Sequence, residues 1–211
     1  MKKILFGGAL LLSSLGFAQF EGTGFVSVIV GNSNPTGEFA RSELYEENAH
    51  FAQEGTTFGI NGGYMLNKNF GLAGRFSMSS WDTEIPNVTN ASPRFITTSF
   101  LAGGMFSIPT GRFAFDFRLL AGMASTTYEK HRFDSSTTWG NGTSTTTIYV
   151  PESNMSEIAY SYGTSARFHA SDKIDLMANV DFFNTKPRSD YYISSKNIST
   201  TDFTVGVGLR L

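Results

Sequence analysis

The chain is 211 residues long, 40% hydrophobic and only 16% charged, with no cysteine and a formal charge of −2. That length suits one domain, and the lack of cysteine excludes a disulfide framework. The mildly acidic balance argues against nucleic acid or another polyanion as partner.

The first residues, "MKKILFGGALLLSSLGFAQF", pair a basic start at Lys2 and Lys3 with an apolar run and a small-x-small site at Gly16-Phe17-Ala18. This pattern predicts a signal peptide over 1–18, cleaved after Ala18, and a single mature domain over 19–211. Without Lys2 and Lys3, the 16 basic side chains fall to 14 against 18 acidic ones, a formal −4. The apolar run is shorter than the ~20 residues a spanning helix needs, and no later run reaches that length. If the mature chain enters a membrane it must do so as a closed barrel, the other structure that satisfies its own backbone there.

Eight segments of alternating character follow in order: Gly22–Gly31, Gly55–Leu66, Asn69–Ser80, Arg94–Ile108, Arg112–Ser125, Ser156–Ala170, Lys173–Thr185 and Ser199–Leu211. Strict period-two alternation marks β-strands, and each segment is long enough for a tilted membrane strand of ~9–11 residues. The first segment is apolar on both faces, so its parity stays open. Asn67-Lys68, Pro109-Thr110-Gly111 and Ser171-Asp172 carry turn chemistry. Between them lie the long connectors 32–54, 81–93, 126–155 and 186–198. Long and short connectors alternate, which predicts an up-and-down meander with all long loops at one end.

In the last seven segments one parity is Phe, Leu, Ile, Val, Ala and Gly. The other carries Arg75, Asp116, Arg118, Glu157, Arg167, Asp175, Asp181 and Arg210 among small and polar residues. Four positive and four negative charges, with no lysine, suit a closed network inside a narrow barrel better than a solvated face. The expected fold is therefore an all-β, eight-stranded antiparallel up-and-down transmembrane barrel, with phenylalanines in lipid and charges in the lumen. A soluble lipocalin-like barrel would need the reverse, and the first strand lacks the tryptophan such barrels carry.

With these eight segments and the terminal strand "FTVGVGLRL", the chain resembles the small outer-membrane barrels of the OmpA/OmpX type over nearly all of its mature length. The resemblance implies insertion into the bacterial outer membrane, contact with outer-membrane lipid, and delivery by the barrel-assembly machinery. In such families that machinery reads the last strand. Here Phe203, Val205, Val207, Leu209 and Leu211 keep its spacing, with Leu in place of a final Phe. No peptidoglycan-binding domain is expected after the eighth strand.

Aromatics near the strand ends read as interface girdles: Trp81, Tyr128, Tyr160 and Phe182 at the long-loop end, and Phe70, Phe106, Phe113 and Phe168 near the short turns. His50 and His131 lie in long connectors and His169 at a short turn, without a serine–histidine–carboxylate arrangement. Glu38, Glu43, Glu46, Glu47 and Glu54 match no metal-ligand spacing and read as a solvated acidic loop. The third long connector, rich in Ser and Thr around Trp139, reads as a flexible outer loop or as a surface for an extracellular partner. No cofactor, metal or catalysis is expected. The sequence points to a structural or surface-interaction role, with a narrow solute channel as alternative and a lipid-modifying enzyme third.

Overall fold

A computed structural model describes residues 24–40, 52–83, 94–139, 142–150, 152–186 and 197–211, with the backbone alone for 131–139 and 142–150. The expected signal segment, His50, and Glu43, Glu46 and Glu47 lie outside the described residues. The strands are β1 (Gly24–Thr36), β2 (Gly55–Met65), β3 (Phe70–Asp82), β4 (Arg94–Thr110), β5 (Phe113–Tyr128), β6 (His131–Trp139), β7 (Gly142–Val150), β8 (Ser153–His169), β9 (Ile174–Thr185) and β10 (Ile198–Arg210). Eight of them close in the order β1-β10-β9-β8-β5-β4-β3-β2, every neighbour antiparallel. Closure leaves the barrel without an edge. Among the described residues no helix is long and apolar enough to cross a membrane.

Local chemistry sets the short turns. Asn67 Oδ1 accepts hydrogen bonds from the backbone N–H groups of Asn69 and Phe70, at 3.0 and 2.9 Å. Ser171 Oγ does the same for Lys173 and Ile174, at 3.3 and 3.1 Å. These side-chain loops are how Asn and Ser favour turns over continued strand. The turn between β4 and β5 begins two residues later than the sequence suggested. Pro109 and Thr110 still pair with Ala114 and Phe113, and Gly111 makes the reversal at φ 60°, a left-handed conformation that glycine adopts without Cβ strain.

The strands β4, β5 and β8 form the tallest wall. Residues 153–158 of β8 pair with β5 alone, because β9 ends at Thr185 opposite Ala159. Above this wall β6 and β7 pair antiparallel from His131↔Val150 to Trp139↔Gly142. The third long connector, in which the sequence marked no strand, thus contains a hairpin. Its Thr-rich runs suit strands, and two facing runs satisfy each other's backbone.

The pleat sorts side chains as the charges demand. Val26, Val28 and Val30 of β1 face outward, whereas Phe25, Ser27 and Ile29 face inward, which fixes the parity the sequence left open. Outward positions such as Phe100, Leu119 and Ile158 are 66%, 68% and 71% exposed. Such a large apolar exterior is tolerable only against hydrocarbon.

Candidate functional site: the filled lumen

The interior is layered. At the long-loop end a one-turn 3-10 helix, Gly37–Ala40, drops Phe39 into the barrel mouth, where it is fully buried. Its ring meets Trp81 edge-on at 5.3 Å and Phe95 at 5.5 Å, and Phe95 lies 4.5 Å from Tyr128. Trp81 Nε1–H donates to the Ser33 carbonyl at 3.1 Å. Two girdle assignments are therefore corrected. Trp81 is 1% exposed and Tyr128 packs on the inner cluster, because both continue the inward parity of Arg75 and Arg118. Below this cap lies a hydroxyl layer in which Ser79 bonds Thr57, Ser77 bonds Ser99 and Thr97 bonds Thr126 at 2.8–2.9 Å.

The charges occupy the middle and the short-turn half. Asp202 of β10 accepts hydrogen bonds from Ser33 Oγ, from Thr200 Oγ1 at 3.0 Å and from Arg75 Nη2 at 3.0 Å. Arg75 Nη1 pairs with Asp181 of β9. Asp181 also receives Arg118 Nη2 on both oxygens, at 3.0 and 3.1 Å. Nearer the short turns, Arg167 grips Asp116 with Nε and with Nη2 at 3.0 Å, and its Nη1 lies 3.5 Å from Asp175. Asp175 further accepts Arg210 Nη2 at 2.7 Å and faces His169 Nδ1 at 2.8 Å. The Arg167 guanidinium stands 4.3 Å over the Phe25 ring, a cation–π contact worth most where water is absent.

Of the eight charges read from the sequence, seven meet in these two clusters. Glu157 does not. It is half-buried on the part of β8 that rises above β9, and among the described residues no arginine pairs with it. Asp202, which the reading missed, takes the fourth acidic place. It shares the inward parity of Thr204 and Arg210, so the pleat itself was the available signal. Gly163 supports this geometry: a Cβ there would collide with the Asp181 carboxylate. Such fork-and-carboxylate pairing is how arginine offsets the cost of leaving water.

The other assigned residues lie outside. Tyr160, Phe70, Phe106, Phe113 and Phe182 are 51%, 58%, 36%, 48% and 39% exposed on the outer face, and Phe168 is half-buried there. Tyr162, not singled out from sequence, stacks on Phe182 at 5.1 Å. Phe203, Val205, Val207, Leu209 and Leu211 all point outward, at 50–77% exposure. His169 does have an orienting carboxylate, which the sequence did not reveal. Among the described residues no serine hydroxyl bonds its ring, and Ser171 Oγ is committed to its turn. No group of three His, Cys, Asp or Glu among them is placed to hold a metal.

A closed eight-strand barrel with an apolar exterior and an ion-paired interior agrees with what comparison finds, since the family model "Outer membrane protein beta-barrel domain" matches residues 7–210. The chain belongs to that outer-membrane β-barrel family. Its place is accordingly the bacterial outer membrane. A search of curated protein sequences returns no match. Among solved structures it is similar to Ail of Yersinia pestis, solved in complex with the heparin analogue sucrose octasulfate. The identity is 16%, covering 91% of this chain and 100% of Ail, with a TM-score of 0.54. It is also similar to the Neisserial surface protein NspA, at 13% identity over 90% of this chain and 99% of that one, with the same TM-score of 0.54. At such identities the likeness concerns the barrel fold alone.

Proposed function

We propose that this outer-membrane barrel is a closed, non-catalytic scaffold whose role lies in anchoring and surface interaction. Its long connectors face the cell exterior, where they can meet an extracellular partner, and its short turns face the periplasm. The observation that carries this reading is the stacked Arg75–Asp181–Arg118 and Asp116–Arg167–Asp175 pairing, which spans the lumen from several strands. Charges so paired leave little room for a moving ion. The aromatic cap of Phe39, Trp81 and Phe95 adds a second barrier. The outward row from Phe203 to Leu211 is suited to recognition by the assembly machinery. Binding of a sulfated sugar does not transfer from Ail, because the first long connector here carries five glutamates.

A narrow channel is the second reading, and one observation favours it. Both Asn61 side-chain amide atoms, Arg118 Nε and Ser161 Oγ are buried without a hydrogen-bond partner, and buried polar groups of this kind are usually met by ordered water. Planar-bilayer recording separates the two. The unmutated protein is expected to give no steady conductance; a stable ohmic current would overturn the closed scaffold and establish the channel.

A further inference from the structure

The lipid-facing surface of β8, β9 and β10 is not evenly filled. Ala166 lies opposite Ala178, and the same row across the sheet continues to Phe115 on one side and to Val205 and Val30 on the other. The next row toward the short turns is all large: Phe113, Phe168, Leu176, Val207 and Val28. Two methyl side chains among these rings and branched chains leave a groove. It comprises two contiguous hollows of about 730 and 630 Å³ that share Val30, Ala166, Ala178 and Val205.

A fixed cation stands at the short-turn end of the groove. Arg112 donates from Nε to the His169 carbonyl at 3.2 Å and from Nη2 to the Ala170 carbonyl at 3.0 Å. Its guanidinium lies 5.2 Å over Phe168, a groove wall. Lys173 is exposed in the neighbouring turn. Among the described residues neither cation pairs with a carboxylate. Arg112 is thus held by backbone carbonyls with one nitrogen uncommitted.

We propose that this groove seats one acyl chain of a glycerophospholipid whose phosphate rests on Arg112 and Lys173. The family places these strands in hydrocarbon, where an unfilled hollow forfeits dispersion contacts that an acyl chain restores. The guanidinium supplies the charge-assisted hydrogen bonds that phosphate prefers. Charge also decides against a second copy of the chain: a two-fold contact through this face would bring like charges at Arg112 and Lys173 toward each other. The lipid belongs to the leaflet that the short turns face. Naming that leaflet as the inner one rests on the proposed orientation, whereas lipid binding in detergent does not.

Native mass spectrometry of the whole folded protein, with phosphatidylglycerol added, tests the assignment. One retained lipid is expected per barrel. Filling the groove with Ala166→Leu and Ala178→Leu should weaken retention by about tenfold or more, and Arg112→Gln with Lys173→Gln should do so to a similar degree. Diacylglycerol, which lacks the phosphate, should bind the unmutated protein as weakly as phosphatidylglycerol binds the Gln variant. The matched control is Ala102→Leu with Ala121→Leu, the outward alanine pair on β4 and β5, which should change nothing. Heat-shifted migration on gels confirms that each variant is folded, and the Gln variant, altered only in the turns, keeps the test decisive if the leucine variant fails to fold. Undiminished retention in either groove variant, equal loss in the control, or a dimer in place of the lipid adduct would each overturn the proposal.

Discussion

Single carboxylates inside the barrel carry unequal loads. Asp181 receives two arginines, whereas Asp202 shares Arg75 with Asp181 and is also held by Ser33 and Thr200. Asp181→Asn therefore strips Arg118 of the one carboxylate it pairs with among the described residues, leaving it the Asn179 side-chain carbonyl at 3.3 Å. Losing one partner of a buried pair costs about 3–5 kcal/mol, because the remaining charge stays desolvated. Asp202→Asn should cost less, since Arg75 keeps Asp181. Glu157→Gln, at the water-exposed rim, should stay within about 0.5 kcal/mol. Urea unfolding from phospholipid vesicles would rank the three. Equal losses for Asp181 and Glu157 would mean the network contributes little. Asp202 itself was legible in the sequence, as it stands two residues before Thr204 on the inward parity. Phe39 was not, because nothing local marks a loop phenylalanine that folds back into a barrel mouth.

At the scale of elements, the last seven barrel strands were legible because the solvent differs on their two sides, and five of them, β3, β5, β8, β9 and β10, carry charge on the inward face. Lipid selects one parity so strongly that Arg118 in hydrocarbon would cost about 2–4 kcal/mol. The first strand offered no such contrast, with Phe25 and Ile29 inside and three valines outside; only its register with Gly208 and Asn61 through Ser27 settles it. At Trp81 and Tyr128 parity outranks residue type, and both aromatics follow the inward face. The β6–β7 hairpin was missed for a related reason: Ser and Thr on both parities give no hydrophobic period. Its paired backbone makes a sharper topological prediction than an unstructured loop would. An epitope inserted between Trp139 and Gly142, beyond the last ladder pair, should be tolerated and labelled on intact cells. One inserted at Gly111 should be labelled only after the outer membrane is opened. The reverse pattern would invert the proposed orientation.

For the whole molecule, closure depends on two barriers in series, and they can be separated. The aromatic cap rests on Phe39, whose carbonyl accepts the Ala52 N–H at 3.4 Å. The ion-paired layers lie deeper and draw their residues from β3, β5, β8, β9 and β10. Phe39→Ala should remove the cap and cost about 3–5 kcal/mol of packing, while leaving every lumen ion pair in place. Trp81 then reports the opening, provided Trp139 is first replaced by Phe so that a single indole remains. With Phe39 present, Trp81 at 1% exposure should emit in the blue and resist iodide quenching. Without Phe39 it should become quenchable, yet planar bilayers should still show no steady current, because the arginine–aspartate layers continue to fill the lumen. If instead Phe39→Ala conducts, the cap alone was the gate. The interior would then be a wet pathway threaded past Asn61 and Ser161, and the charge network would serve as its lining rather than its seal.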